Sequence, residues 1–517
     1  MCCTILIGTI VLALTAASSF LFDFRISNYY TLVGGSSLPF LIYYLIKTYF
    51  YYRKLPPGPR GWPTIGRLIE LNIENSLLKC QEYAKKYGNL FCMQVGQYMV
   101  VVINDLKLIQ EALKKEELQG RPDFQPWNTC NVDRPWQDQR LLAASALSDI
   151  SGRSDLERIL TLEARELVNE LKTSSGQSVD LKKNVNKSVF NSLWHILSGQ
   201  RFELNDPEFV EVVSSLSSQN ENQGIFTMGH YFPWFAVLNY LPGMILPAPL
   251  LKSLKTFKRM FGFFDRWILP RFGNYKGDEP TGYIDGYLYN QLQSMQDSSY
   301  ASEDETKKLQ VALVNLFQAG SETTATTLLW AIFFLSKFPE VQQKLHDEIQ
   351  QIVGSGRLPS RADRAKMPYL EAFMNEVHRK ASVVPLTAFH KATKDCKFGG
   401  YSIYKDFIVL PNLYAVHHDE DHWHEPQKFR PERFLDPTGT KLVYNEALMP
   451  FGNGKRMCLG EAVVRDTLFF FLTSLLQNFS FSLDPRSENV AIDIPTPKFI
   501  NFPIDFKVIM SNRRVNY

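Results

Sequence analysis

The chain has 517 residues, with 56 Lys and Arg against 53 Asp and Glu for a formal net charge of +3, and it is 45% hydrophobic. That balance gives no electrostatic reason to expect nucleic acid as a partner, and the apolar content can build a substantial core. The seven cysteines (2, 3, 80, 92, 130, 396, 458) are scattered, odd in number and without C-x-x-C spacing, which argues against a disulfide framework and for reduced thiols.

The N-terminus is distinct. Thr4 to Phe22 is almost wholly apolar, and Tyr29 to Tyr52 is a second apolar stretch interrupted by Gly34, Gly35, Pro39 and Lys47. At about 20 residues per crossing, the first is long enough to span a bilayer. Small residues end it (Ala16, Ala17, Ser18, Ser19), as they would end a cleaved signal peptide, but no basic stretch precedes it. Residues 1–54 are therefore expected to form a membrane anchor of one or two segments. Arg53, Lys54 and Arg60 follow, and positive charge there favours a cytosolic location for the rest of the chain. The run Leu55-Pro-Pro-Gly-Pro-Arg-Gly-Trp-Pro-Thr-Ile-Gly66 is a stiff connector that cannot continue a helix. No linker, repeat or low-complexity tract follows, so residues 55–517 read as one large domain.

Farther along stand Gly120-Arg121 and Trp136-x-x-x-Arg140, the latter at a helix start announced by Pro135. Leu309 to Phe338 has helical length and is mostly apolar, yet it contains Ala319-Gly-Ser-Glu-Thr-Thr324. Glycine in mid-helix costs ~1 kcal/mol relative to alanine, and Ser and Thr compete for backbone hydrogen bonds, so a buried helix would carry this run only for a reason. A solvent-facing polar patch is the other reading, and it suits Thr326 and Thr327 better than Gly320 to Thr323. Glu376-Val-His-Arg379 places two opposite charges on one helical face. Residues 417 to 424, His-His-Asp-Glu-Asp-His-Trp-His, have the elements of a zinc site, but their acidic crowding suits a solvated loop.

Residues 451 to 460 read Phe-Gly-Asn-Gly-Lys-Arg-Met-Cys-Leu-Gly, and Cys458 is the best candidate for a metal-bound thiolate. Gly452 and Gly454 let the backbone fold closely against a flat ring, Phe451 can cover the sulfur, and Gly460 lets the following helix approach. That helix, Glu461 to Asn478, turns its unpaired N–H groups toward Cys458, which favours a thiolate. Arg456 is placed to meet an anionic heme propionate.

This run resembles F-x-x-G-x-R-x-C-x-G, the heme-ligand signature of the cytochrome P450 family, at every fixed position. Ala319 to Thr323 is similar to the family's A-G-x-[DE]-T, Glu376 to Arg379 to its E-x-x-R, and Phe429-Arg-Pro-Glu-Arg-Phe434 to its F-x-P-E-R-F. The resemblance spans roughly residues 55 to 510 and points to the membrane-anchored microsomal branch that metabolises drugs and steroids. It implies a mainly α fold with a small β-rich region, and heme b between the long central helix and the cysteine loop. It further implies that Ala319 and Gly320 make room for dioxygen, and that Glu322 and Thr323 form an acid and alcohol pair relaying protons. Glu376, Arg379 and Arg433 would be a buried triad bracing the cysteine loop, while Trp136, Arg140, Arg121 and His390 would hold the heme propionates. Read by themselves, Arg121 is equally a surface arginine and His390 equally a satisfied core histidine.

The expected activity is insertion of one atom of O2 into an apolar, lipid-like substrate, with electrons from an NADPH-dependent flavoprotein reductase docking near Lys455 and Arg140, at the endoplasmic reticulum membrane facing the cytosol. Substrate is expected to be of sterol or terpenoid size, because Val383, Val384, Leu386, Ala388 and Phe389 on one wall and Ile494, Pro495 and Phe499 on another are poor in charge. Gly120 to Phe124 and Ser382 to Thr393 resemble arthropod ecdysteroid-pathway members, although Phe389 stands where the branch commonly has proline. Two other readings are a heme-thiolate isomerase or dehydratase, whose members typically lose the acid and alcohol pair, and a non-catalytic heme-binding sensor at the membrane.

Overall fold

A computed structural model describes residues 46, 50–62, 65–73, 76–122, 140–141, 143–145, 154–221, 259, 261–271, 275, 280–294, 303–487 and 498–513. Helices dominate it: α1 (Leu68–Ile73), α2 (Ser76–Tyr87), α3 (Leu106–Lys114), α4 (Ser154–Lys172), α5 (Lys182–Ser198), α6 (Pro207–Glu221), α7 (Tyr283–Ser294), α8 (Glu303–Lys337), α9 (Pro339–Ile352), α10 (Arg361–Arg364), α11 (Pro368–Ala381), α12 (Leu413–His417) and α13 (Glu461–Asn478). The strands are short: β1 (Leu90–Val95), β2 (Tyr98–Ile103), β3 (Ser178–Val179), β4 (His390–Lys391), β5 (Cys396–Phe398), β6 (Tyr401–Ile403), β7 (Ile408–Pro411), β8 (Phe479–Leu483) and β9 (Val508–Asn512). They form sheets of order β1-β2-β7-β4 and β3-β9-β8 and the hairpin β5-β6. The mainly α fold with a small β region is thus the one found. Thr4 to Phe22, most of Tyr29 to Tyr52, Trp136, Ile494 to Thr496 and most of Phe226 to Phe272, an apolar and basic stretch whose composition suits a membrane interface, lie outside the described residues, and among those described no helix is long and apolar enough to cross a membrane.

The central helix α8 begins six residues before the apolar pattern does, because Glu303 to Lys308 is charged and carries no hydrophobic periodicity. It stops at Lys337 because Phe338 precedes Pro339, the first residue of α9, and a residue before proline is pushed out of the α region. The polar run stays helical within the core by bonding back four residues: Ser321 Oγ donates to Phe317 O, Thr323 Oγ1 to Ala319 O, Thr324 Oγ1 to Gly320 O and Thr327 Oγ1 to Thr323 O, all within 2.6–2.8 Å. Thr326 and Thr327 are 1% and 4% exposed, so the expectation of a solvent face there is corrected. The helix packs on α5, which packs on α4, which in turn meets α13.

Gly320 makes that packing close. A Cβ at this position would meet Leu193 Cδ2 of α5 at 3.0 Å, so the small residue admits a neighbouring helix. In α13, apolar almost all round, Leu468 to Leu472 are at most 1% exposed, as befits a helix running through the core beneath the cysteine loop.

Candidate active site

A cavity of about 520 Å³ lies between α8 and the loop that carries Cys458. Ala319, Thr323 and Thr327 of α8 line one side, and Phe451, Gly452 and Cys458 the other.

The loop is held from several directions. Cys458 N–H donates to Phe451 O at 2.8 Å, closing a turn around the sulfur. Gly454 has φ +72°, and a Cβ there would meet Leu113 O at 2.2 Å, so both backbone conformation and the end of α3 demand glycine. The ring of Phe451 is met edge-on by His378 at 5.0 Å and covered by the Arg465 guanidinium at 5.1 Å. The Cys458 sulfur is open to the cavity yet surrounded by protein. Burial pushes its thiol up, and the N–H groups of Gly460 and Glu461 together with Arg140 oppose that shift without reversing it. The N–H groups at the helix N-terminus thus favour the thiolate, as expected, but do not by themselves outweigh burial. A bound cation would, since metal coordination deprotonates a thiol.

The propionate candidates converge through one strap. Residues 116–121 run beside 388–391, with Lys391 N–H donating to Gly120 O at 2.8 Å. Arg121 Nη1 donates to Ala388 O and Phe389 O at 2.9 and 2.8 Å, and Arg456 Nε donates to Gln119 O at 3.1 Å. His390 Nδ1 lies 3.0 Å from Leu118 O. A carbonyl only accepts, so that nitrogen carries the proton. Burial, with Arg121 and Arg456 adding to it, holds His390 well below the ordinary imidazole range. Its ring is thus neutral, and Nε2 becomes a donor only when an anion beside it draws a second proton. Arg121, His390 and Arg456 all line the cavity. Arg140 is not among the described lining residues; its Nη2 donates to Met457 O at 2.6 Å, beside the cysteine. Trp136 lies outside the described residues.

Glu376, Arg379 and Arg433 come together as a buried cluster. Arg379 donates to both Glu376 oxygens at 2.8 Å, and Arg433 Nε to Glu376 Oε1 at 3.1 Å, with Glu376 and Arg379 fully buried. Their link to the cysteine loop runs through His417, which the motifs did not single out as a brace. Arg379 Nη1 donates to His417 O at 2.8 Å, and Met449 N–H donates to His417 Nε2 at 3.2 Å, two residues before Phe451. Nδ1 therefore bears the proton and donates to Ser382 Oγ at 2.8 Å. Burial pushes His417 down to about 3, which keeps this neutral tautomer in place. The run 417–424 is accordingly not a wholly solvated loop, for His417 and Trp423 are 1% and 3% exposed.

On α8, Ala319 and the Thr323 hydroxyl open on the cavity, whereas Gly320 faces Leu193 and is not among its described lining residues. The room Gly320 makes is for α5. Glu322 is 1% exposed and faces away from the cavity, its Oε2 accepting from Ser217 Oγ at 3.1 Å. Val383, Val384, Ala388, Phe389 and Phe499 line the cavity, Phe389 and Phe499 meeting edge to face at 5.8 Å. Leu386 is instead packed beneath the β1-β2-β7-β4 sheet.

These features fit a heme. The cavity is apolar, has a cysteine sulfur on one side and small residues opposite it, and carries guanidinium and imidazole groups at one edge suited to two carboxylates. A model of the family "Cytochrome P450" matches residues 56–510. The chain is 32% identical to cytochrome P450 2L1 of Panulirus argus, covering 89% of this chain and 95% of that one. It is 33% identical to cytochrome P450 2J2 of Homo sapiens over 85% of this chain and 88% of the other, and 30% identical to cytochrome P450 18a1 of Drosophila melanogaster over 87% and 86%.

Proposed function

This chain belongs to the cytochrome P450 family as a heme-thiolate monooxygenase of the microsomal type, and from that premise we propose that it oxygenates an apolar lipid of sterol or terpenoid size. Heme b, when bound, supplies the redox chemistry that activates dioxygen and transfers one of its atoms to substrate.

The chain's own groups do the rest. Cys458 Sγ provides the iron ligand, and Phe451 shields it from water. Arg456, Arg121 and His390 would meet the propionates at the strap edge, with Arg140 and Trp136 as the further donors that the family pattern implies. The small side chain of Ala319 would leave space in the cavity for dioxygen, and Gly320 contributes by letting α8 sit close to α5. Thr323 Oγ1, which rests on Ala319 O, can release that bond and pass protons into the cavity without bringing a fixed charge there. Glu322 supplies those protons to the hydroxyl.

The observation that carries the substrate reading is the wall of Val383, Val384, Phe389, Leu413, Phe499 and Ile500. Burying apolar ligand surface against it gains about 25 cal/mol per Å². Thr387, which also lines the cavity, can orient one hydroxyl or ketone. A steroid-hormone or ecdysteroid substrate is the narrower form of this reading. Electrons come from an NADPH-dependent flavoprotein reductase docking near Lys455 and Arg140, with residues 1–54 anchoring the domain of residues 55–517 to the endoplasmic reticulum on its cytosolic side.

Spin-state titration of the ferric protein tests the substrate class, followed by metabolite profiling with reductase against sterol, terpenoid and fatty-acid panels. Sterols or terpenoids should bind tightly and be oxygenated. Tight responses confined to small, highly charged metabolites would refute the reading.

A further inference from the structure

The polar side chains on the cavity wall are largely bonded to the protein itself. Thr323 and Thr327 donate to carbonyls of their own helix, Arg121 donates to Ala388 O and Phe389 O, and Asn453 Oδ1 accepts from Gly454 N–H at 2.7 Å. Gln318 of α8 is different. It lines the cavity and is only 9% exposed, yet its Oε1 is buried without a partner in the protein. A buried amide oxygen without a donor has given up water and gained nothing in exchange, a cost that native proteins carry rarely and for a reason.

The place of Gln318 in the cavity indicates the reason. His378 Nε2 is also buried without a partner, but that ring lies against Phe451 on the cysteine side. Gln318 is on the opposite side, next to Ala319. Successive residues of a helix lie about 100° apart around its axis, so Gln318 flanks the row of Ala319, Thr323 and Thr327 and leaves the space over that row clear. Val383, Val384, Phe499 and Ile500 on the wall have no side-chain donor to offer it. Water can meet Oε1 while the cavity is wet. Once an apolar lipid has expelled that water, the donor must come from the lipid, because displacing a bound water with a group that cannot replace its hydrogen bond loses affinity.

We propose that Gln318 is a specificity-determining residue whose Oε1 accepts a hydrogen bond from a hydroxyl group of the substrate. The lipid this protein takes is then an alcohol, held with its oxygen against the flank of α8. Pure hydrocarbons of the same shape leave the amide unmet and are discriminated against. The inference rests on the reading of the substrate as an apolar lipid of sterol or terpenoid size, and adds which of those lipids fit.

The test titrates the spin state of the full-length, heme-loaded ferric protein with matched pairs, cholesterol with cholestene and farnesol with farnesene. Each pair is measured in the wild type and in Gln318→Met, where an unbranched apolar side chain of similar length replaces the amide. Comparing the ratio of dissociation constants within a pair between the two proteins cancels the hydration of the ligands themselves. In Gln318→Met that ratio should move against the alcohol by about tenfold, the equivalent of roughly 1.4 kcal/mol for one lost hydrogen bond, while the hydrocarbon binds as well or better. A merely structural role would weaken both members of a pair alike. If Gln318→Met loses heme, Gln318→Leu supplies the same comparison. A ratio that is unchanged in every pair that binds would overturn the hydroxyl site and leave the lipid reading intact. No response of the wild type to either member of either pair would overturn the lipid reading and this inference together.

Discussion

At Cys458 burial and the local N–H donors pull the sulfur in opposite directions, and burial prevails. Cys80 and Cys92, pushed up to about 12 by burial alone, lack even those donors. Cys458→Ala should therefore abolish the strongly red-shifted Soret band of the ferrous carbon monoxide complex, which only a thiolate ligand produces. Alanine at Cys80, Cys92 or Cys396 should leave it in place. Persistence of the band in Cys458→Ala would end the heme-ligand assignment. Thr323→Ala should retain heme, because its hydroxyl bonds only its own helix at Ala319 O among the described contacts, yet divert electrons into peroxide. Product yield per NADPH equal to that of the wild type would count against the relay.

At the scale of elements, the cysteine loop depends on α11 and α12 as much as on its own glycines. Removing one partner of a buried ion pair strands the other charge, at about 3–5 kcal/mol. Glu376→Ala leaves Arg379 and Arg433 facing each other and should yield protein without heme, as read from the heme absorbance per protein. His417→Ala is a milder lesion, since it strands the Met449 N–H for about 1–3 kcal/mol, while the Ser382 hydroxyl keeps its bond to Arg379 O. It should give a folded protein that loses heme faster than wild type on dilution into apomyoglobin, and an unchanged loss rate would remove His417 as the link between triad and loop. How α8 tolerates Ser321 to Thr327 is also an element-scale matter, for each back-bond is made inside the helix.

Across the whole molecule, buried neutral histidines set the acid limit. His195 is pushed down to about 4 by burial, with Arg158 and Arg201 adding to it, and His378 and His417 to about 3. Their unfolded values lie near about 6.5, so below that pH the unfolded chain binds more protons than the folded one. Stability is full above about pH 6.5 and falls as pH drops toward the folded values. Urea midpoints should decline steadily from about pH 6.5 to about pH 4, and a flat profile would contradict the burial of these rings. Truncation of residues 1–54 should weaken membrane association and leave a heme-binding domain. Residual liposome binding is expected from the apolar and basic stretch Phe226 to Phe272, and a truncated protein with no liposome affinity would remove that expectation.

What was legible in the residues was the chemistry confined to one stretch of chain. The words around Cys458, Ala319 to Thr323 and Glu376 to Arg379 could be read because turn geometry, helical period and ligand chemistry constrain neighbours at fixed spacings. The helix Glu461–Asn478 was read to its ends for the same reason, its apolar run starting after Gly460. Tertiary structure alone decided the side of α8 on which Glu322 finds its partner, that Gly320 admits Leu193, and that Thr326 is buried. It also decided that Leu386 lies under the sheet, that His417 joins the triad to the loop, and that the strap of residues 116–121 gathers Arg121, His390 and Arg456 at one edge. Each of these depends on contacts between residues tens to hundreds of positions apart. Local spacing carries no record of such contacts, and they exist only once the helices have packed.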